Sequence, residues 1–316
     1  MKRLPRSARW VLIALATAFC VAVCQQRLIP IIPTVNAAAV GAQDQTDQAP
    51  PPDQGQDPAA ANMAPSGQSY TTQTPPPADQ SAAPGQPAEE YGEQPTETAA
   101  QPPPPLPVYQ QPPPPADGYI WTPGYWAWSP AGYYWVPGAW VEPPYAGALW
   151  TPGYWGFYGG RYSFYPGYWG LHIGFYGGIN YGFGYIGLGY EGGYWRSGHF
   201  FYNSVYNHID TRVVHNVYRY NAGNRVRVVS RTSFNGGSHG VQVRPRSSEM
   251  AARREPTAPR MSTQVEHART YSTNRGQLAS QNHGRPATPA ISRPIAADRN
   301  VRPSTSHGGQ QRGNHK

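Results

Sequence analysis

Cysteine is nearly absent from this chain of 316 residues, which contains only Cys20 and Cys24. Both lie in a segment that we predict to be a cleaved export signal, so the remaining chain would carry no thiol. Disulfide bridges, thiol nucleophiles and cysteine-based metal sites are then excluded. Charged residues make up only 13% of the chain and aliphatic core residues are scarce. This composition is not typical of a packed enzyme, and we expect no large buried core.

Proline, glycine and aromatic residues are abundant instead: the chain has 37 Pro, 35 Gly, 23 Tyr and 10 Trp. Residues 119–198 hold nine of the ten Trp, 15 of the Tyr and 20 of the Gly. Such a bias predicts a mostly disordered, low-complexity chain with one aromatic island. The predicted fold is a small, irregular all-β repeat region with short hairpin-like turns, followed by weak helices near the C-terminus.

Residues 119–169 contain an internal repeat, Trp-x-Pro-Gly-x-Trp. It occurs four times, its last Trp recurs at spacings of 14, 15 and 14 residues, and Phe164 replaces the first Trp of the fourth copy. A fixed period indicates one small unit whose neighbours cover each other's apolar faces. The candidate site residues are Trp121, Gly124, Trp126, Trp135, Gly138, Trp140, Trp150, Gly153, Trp155, Phe164, Gly167 and Trp169.

The Pro-Gly step of each copy predicts a turn. Proline suits the second position of a type I or II turn, and glycine suits the third position of type II. In the first copy, Trp121 and Trp126 would then face each other across that turn and clamp it. Two-residue hairpins prefer types I′ and II′, which Pro-Gly does not form, so the flanking strands should be short and irregular.

Two interpretations of the aromatic residues remain open. The rings pack on one another as a core, as aromatic stripes usually do, or they form an exposed platform that stacks on sugar rings. The platform would use Trp126, Trp140, Trp155 and Trp169. Stacking on single-stranded nucleic acid is disfavoured because only Arg161 and Arg196 supply positive charge in residues 119–198.

The four copies resemble the Trp-x-x-Gly-x-Trp repeat family of bacterial exported proteins, also called the Tyr-x-Trp-Gly-x-Trp family. The resemblance continues in the tail, through Val205-Tyr-Asn207, Asn216-Val-Tyr218, Ser233-Phe-Asn-Gly-Gly237, Val243-Arg-Pro245 and Asn282-His-Gly284, and covers roughly residues 119–300. It implies an envelope or exported location and no particular biochemical activity. Phe164 departs from the motif, so the fourth copy is expected to be a degenerate edge unit.

The N-terminal 37 residues are typical of a secretory signal peptide. Four basic residues precede an apolar run at 10–23, and a small-x-small site favours cleavage between Ala37 and Ala38. Two alternatives are a retained anchor and lipoprotein processing at Cys24. All three predict an exported protein of the periplasm, the cell envelope or the extracellular space.

Residues 38–118 are predicted to be a disordered linker. The segment has 20 Pro and ten acidic residues but no Lys or Arg, so it should stay extended with polyproline pieces. We interpret it as a spacer, and the alternative is a docking site for a proline-recognition domain.

The rest of the chain divides into residues 170–198, rich in glycine and aromatics, 199–246, with short strands and turns, and a basic tail at 247–316. Arg225–Val229 has the alternation of a half-exposed strand. Weak helical character at 247–254 and within 257–281 is interrupted by prolines, and disorder is expected from His283 onward. From residue 199 the chain has 18 Arg and Lys against five acids. This charge is either solvated or contacts anionic envelope polymers, lipid headgroups or the acidic linker.

No motif predicts catalysis, a cofactor or a metal. Of nine His, only His208 and His215 lie close in sequence, and a third ligand is missing. We therefore expect a non-enzyme without a cofactor. Two hypotheses follow: a structural or interaction protein of the envelope, with other envelope proteins as further partners, or a glycan-binding module.

Overall fold

A computed structural model describes residues 57–65, 94–223, 231–298 and 300–304. In this part of the chain the strands are β1 (Glu97–Ala99), β2 (Ile120–Thr122), β3 (Tyr125–Ser129), β4 (Gly132–Val136), β5 (Ala139–Val141), β6 (Leu149–Thr151), β7 (Tyr154–Tyr158), β8 (Arg161–Tyr165), β9 (Tyr168–Gly170), β10 (Asn180–Gly182), β11 (Tyr185–Ile186), β12 (Gly193–Arg196), β13 (His199–Asn203), β14 (Val217–Tyr218), β15 (Phe234–Asn235) and β16 (Ala258–Pro259). The α-helices are α1 (Ser247–Arg254), α2 (Ser262–Ser272) and α3 (Ala279–Asn282), and 3₁₀ turns cover Pro58–Asn62 and Arg275–Gln277. The predicted signal with Ala37 and Ala38, and the whole of the predicted strand at 225–229, lie outside the described residues.

The first two repeat copies form one antiparallel unit, which we call the first repeat pair (residues 120–141). Strand β2 pairs with β5 and β3 pairs with β4, so copy one lies against copy two along its whole length. The hairpin turn is the two-residue step between Ser129 and Gly132.

The third and fourth copies repeat this arrangement as the second repeat pair (residues 149–170). Strand β6 pairs with β9 and β7 with β8. Their hairpin turn is Gly159-Gly160, with φ of 57° and 80°. Positive φ at both central residues is what a type I′ turn requires.

The predicted Pro-Gly turns are therefore wrong. Trp121 pairs across strands with Trp140, and Trp126 pairs with Trp135, so the two Trp of one copy do not face each other. Each Pro-Gly step instead interrupts an extended path between two short strands, since proline donates no ladder hydrogen bond. Reversal occurs between the two copies of a pair, at Pro130-Ala131 and at Gly159-Gly160. The first of these turns is followed by Gly132, which has a φ of 103°.

The fourth copy is not a degenerate edge unit. Strand β9 lies between β6 and β16, and β8 lies between β7 and β1. Phe164 is 2% exposed and occupies the position of the missing Trp. Its ring packs on Trp155 at 5.3 Å, as the first Trp of each other copy packs on a Trp of its partner copy.

The described chain has a sizeable core, contrary to the expectation from composition. The largest fully buried side chains are aromatic: Trp121, Trp126, Trp135, Trp140, Trp155, Trp169, Tyr154, Tyr176, Tyr185, Tyr190, Tyr202 and Phe164. One aromatic ring buries about 150–250 Å². Tyr and Trp therefore supply the apolar area that aliphatic residues supply in most proteins.

Segments from both sides of the repeats extend the sheets. Strand β1 joins β8 and β15 joins β7, giving the order β1-β8-β7-β15, while β16 joins β9. The glycine- and aromatic-rich region adds the β10-β11 ribbon and the sheet β12-β13-β14. No helix among the described residues is long and apolar enough to cross a membrane.

Residues 94–118 are ordered against the repeats, which corrects the predicted linker over this range. Leu106 and Gln111 are 7% and 3% exposed, and β1 belongs to a sheet. Proline lacks an N–H but keeps its carbonyl, so a proline-rich chain can accept hydrogen bonds without forming a regular strand. The repeats supply donors, among them the indoles of Trp126 and Trp140.

In the C-terminal region the structure agrees with the predicted helices but not with the predicted disorder. Helices α1 and α2 lie where weak helical character was predicted. The chain after His283 is not disordered throughout: the Ile291 amide donates to Gly138 O and the Ile295 amide to Trp140 O, both at 2.9 Å. These bonds satisfy backbone groups of the first repeat pair that have no other strand beside them.

Candidate functional site

All twelve residues singled out in the repeats are buried. They come together in the two repeat pairs as four facing ring pairs, with centroids 5.2–5.3 Å apart: Trp121 with Trp140, Trp126 with Trp135, Trp150 with Trp169, and Trp155 with Phe164. Interplanar angles of 46–70° make these contacts edge-to-face or tilted. This geometry is favourable because the positive edge of one ring meets the negative face of the other.

The glycine of each copy makes room for the partner copy. A Cβ on Gly138 would lie 2.6 Å from Trp121 Cζ2 and 3.0 Å from Gly124 N. A Cβ on Gly124 would meet the indole of Trp135, and the same relation links Gly153 with Phe164 and Gly167 with Trp150. In each copy the first aromatic residue therefore packs on the glycine of its partner. The motif needs glycine for this close approach and not for a positive φ.

A family model for the WXXGXW repeat matches residues 117–141, in two copies. The chain carries WXXGXW repeats. The match coincides with the first repeat pair, so the family predicted from the sequence is confirmed there. No curated protein and no solved structure matches the chain.

Burial contradicts the exposed platform predicted as an alternative for the WXXGXW repeats. Trp126, Trp140, Trp155 and Trp169 are between 0% and 2% exposed. A sugar ring cannot stack on these side chains while the fold is intact.

Indole N–H groups at the edges of the WXXGXW repeats donate to proline carbonyls of the flanking segments. Trp140 Nε1 donates to Pro112 O at 2.7 Å, and Trp126 Nε1 donates to Pro105 O at 3.3 Å. On the C-terminal side, Trp135 Nε1 donates to Pro289 O at 2.9 Å. A buried N–H without a partner would cost about 1–3 kcal/mol. The flanks thus complete the repeat unit, and sequence reasoning missed them because their composition suggested disorder.

Helix α2 closes a small cavity between the two repeat pairs. Gln264 Oε1 accepts from Trp169 Nε1 at 2.8 Å, and His267 Nε2 donates to Pro137 O at 2.9 Å. Arg260 donates to the Tyr125 hydroxyl at 3.1 Å. The cavity volume is about 30 Å³, which is room for about one water molecule. We conclude that this space is a packing gap bridged by polar side chains.

An open groove of about 470 Å³ lies beside the end of the first repeat pair. Its polar and aromatic lining consists of Asp117, Tyr119, Glu142, Tyr145 and Arg302. Burial raises the pKa of Tyr145 to about 12, and its hydroxyl oxygen is itself buried, with no hydrogen-bond partner among the described residues. Carboxylates, an arginine and tyrosine rings together suit a ligand with both hydroxyl groups and an apolar face. The sequence did not single out this groove, because its residues are far apart along the chain.

The His pair with close sequence spacing does not converge. His208 Nδ1 lies 3.2 Å from Gln111 O, and His215 Nδ1 lies 2.9 Å from Asp117 Oδ2. Within the described ranges, no group of three metal-ligating side chains is found.

Glu249, in the first turn of α1, is a buried carboxyl group at 2% exposure. Its Oε2 accepts from the Arg246 amide at 2.8 Å, and its Oε1 has no partner among the described residues. Burial raises the pKa of Glu249 to about 7 from its ordinary 4.5. The folded state therefore favours the protonated carboxyl.

This pKa predicts that Glu249→Gln stabilises the protein at alkaline pH. The contribution of the protonated carboxyl to the free energy of unfolding is fully present below pH 4.5 and is lost as the pH rises through 7. The free energy of unfolding of the variant should be higher than that of the native chain by on the order of 2 kcal/mol at pH 8.5. The two values should be equal near pH 4.5. Urea unfolding at both pH values measures the difference. Glu266→Gln is the control, since Glu266 is exposed on α2, and an equal gain from both variants would contradict the assignment.

Proposed function

We propose that this chain is an exported protein of the bacterial cell envelope with a structural or interaction role and without catalytic activity. One observation carries the proposal: the WXXGXW rings are buried against one another and against both flanks. The repeats therefore serve as a core that holds the flanking segments together. Partners would therefore contact the outer surface of the protein.

The charge of the C-terminal part supports contact with anionic envelope polymers or lipid headgroups. Exposed arginines in this part include Arg254, Arg269, Arg275, Arg285 and Arg293. Among the acids of the same part, Glu249 is buried with a raised pKa and so offsets little of this charge below pH 7. Exposed charge of one sign attracts an oppositely charged polymer, and this attraction weakens as the salt concentration rises.

The test is tryptophan emission of the chain from residue 38, titrated separately with purified cell-wall glycan and with an anionic envelope polymer. We expect blue-shifted emission before any addition, because the indoles are buried, and no further shift with glycan. The anionic polymer should bind at low salt and be released at about 0.5 M salt, as screening predicts. Water-exposed emission that moves to the blue with glycan would overturn the structural interpretation and favour a stacking platform.

Export is tested on the intact chain. A C-terminal reporter that is active only outside the cytoplasm should become active, and mass spectrometry should find a new N-terminus at Ala38. A mature N-terminus at a lipidated Cys24 would indicate lipoprotein processing, and an intact N-terminus would indicate a retained anchor. A reporter that stays inactive would contradict export.

As a second candidate we propose glycan binding at the open groove. The observation that favours it is the pair of tyrosines, Tyr119 and Tyr145, beside the carboxylates Asp117 and Glu142. Calorimetric titration with glycan fragments should then show binding that Tyr119→Ala removes. Because Tyr119 is only partly buried, this change should leave the folded state intact. The absence of heat with the native chain would exclude this candidate.

A further inference from the structure

Residues 103–115 have the features of a bound polyproline II helix. Eight of these 13 residues are proline, and proline fixes its own φ and restricts the residue before it to extended conformations. Pro103 and Leu106, which are three residues apart, are both buried. Gln111 and Pro114, also three residues apart, are buried as well, but the spacing between Leu106 and Gln111 is five residues. A polyproline II helix has three residues per turn. One edge of the segment therefore faces the protein while the others face solvent.

The rest of the protein offers donors to the backbone carbonyls of the segment, most of them from the first repeat pair. Besides the indoles of Trp126 and Trp140, the Tyr133 hydroxyl donates to Gln101 O at 2.7 Å and the Ser233 hydroxyl to Pro104 O at 2.6 Å. Aromatic grooves with such donors are the means by which proteins bind proline-rich peptides.

Side chains of the segment fill the spaces between these donors. Leu106 belongs to the hydrophobic core, and its amide and carbonyl bond Arg231. The Tyr109 ring packs at 6.1 Å on that of Trp135, and its hydroxyl accepts from the Gly124 amide at 3.2 Å. The contact thus combines main-chain recognition with apolar residues that recur about every third position.

We propose that the first repeat pair is a receptor for polyproline II segments and that residues 101–115 are its tethered ligand. The partner it fits in trans is the same segment of a second copy of this chain. Tethering gives the segment in cis an effective concentration on the order of millimolar. Binding in trans is therefore masked until the cis segment is displaced. The inference does not depend on export or on the glycan groove.

The first experiment uses the full chain with Leu106→Asp, which places a charge where the segment is buried. A fluorescent peptide of residues 99–117 is added, and its anisotropy is followed. We expect saturable binding to the variant at micromolar concentrations and at least 50-fold weaker binding to the native chain, whose site is filled. The same peptide carrying Leu106→Asp should not bind. Absence of binding to a variant that keeps its near-UV circular dichroism would overturn the proposal.

Two tryptophan variants on the Leu106→Asp background separate recognition from packing. Trp140→Phe removes the N–H that bonds Pro112 O and keeps a ring, so it should weaken peptide binding about 5- to 10-fold. Trp155→Phe is the matched control: its N–H donates to Trp126 O within the repeats, and its effect should stay within about twofold. Equal weakening by both variants would show that the peptide senses fold stability alone, which would contradict the receptor.

A second measurement applies if Leu106→Asp fails to fold. A protease site is inserted between Asp117 and Gly118 in the otherwise native chain, and the folded protein is cut there. The cut leaves every native contact available but makes the N-terminal fragment a separate ligand. A labelled peptide of residues 94–117 is then added in excess. We expect the protein to bind this peptide and to release the same segment of the cleaved N-terminal fragment. No incorporation over a day at 100-fold excess would show that the segment is a permanent part of the fold and overturn the proposal.

Discussion

Trp155→Ala is expected to lower the free energy of unfolding by about 4 kcal/mol, as truncation of a fully buried tryptophan usually does. Trp155 is 2% exposed. Its ring lies 5.1 Å from Tyr133 and 5.3 Å from Phe164, so it joins the two repeat pairs. Its Nε1 donates to Trp126 O at 2.7 Å, and alanine would leave that acceptor unpaired. Denaturant unfolding followed by circular dichroism measures the loss.

Trp128→Ala is the matched control for this prediction. Trp128 lies in the neighbouring hairpin and packs on Tyr133 at 4.7 Å, but it is only partly buried. Its backbone amide, which donates to Glu97 Oε2, is unaffected by the change. We expect a loss of about 1 kcal/mol. If the two variants lost the same stability and kept the native emission, the rings would not be the core that we describe.

Gly153→Ala is expected to destabilise the protein by at least about 3 kcal/mol or to prevent folding. The new methyl carbon would lie 2.7 Å from both Gly167 N and Tyr165 O, and 2.8 Å from Phe164 Cζ. Two of these atoms belong to the backbone of the paired copy, so a change of side-chain rotamer cannot relieve the overlap. The strands of the second repeat pair would have to separate.

Gly170→Ala serves as its control. Gly170 ends β9, and a Cβ there would come no closer than 3.3 Å to a neighbouring atom. The expected loss is below about 1 kcal/mol. Thermal unfolding of both variants tests the prediction, and a Gly153→Ala protein as stable as Gly170→Ala would contradict the proposed role of the repeat glycines.

The repeats themselves were predictable because their signal is local. Spacing of Trp, Pro and Gly defined four copies, and a family model matches the first two of them. Short strands beside tight turns were also predicted, and short strands are present. The partner of each Trp was not predictable, since every copy has the same local pattern. Pairing depended on where the chain reverses, and two-residue turns such as Gly159-Gly160 lie between copies.

The ordered flanks could not be predicted from composition. Proline-rich segments usually cannot bury enough apolar surface to offset the entropy of ordering. Here the repeats supply surface and donors, so Leu106 and Pro112 are held by groups distant in sequence. The open groove was missed for the same reason, because residues that line it, such as Asp117 and Arg302, lie far apart along the chain.

The sequence by itself determined that this protein is built on Trp-x-Pro-Gly-x-Trp repeats, since a motif and its period are local properties of the chain. Only the tertiary structure decided that the copies work in pairs, that the tryptophans are buried and that proline-rich flanks complete the unit. These features depend on which surfaces meet, and such contacts between distant segments are decided by the packing of the whole chain.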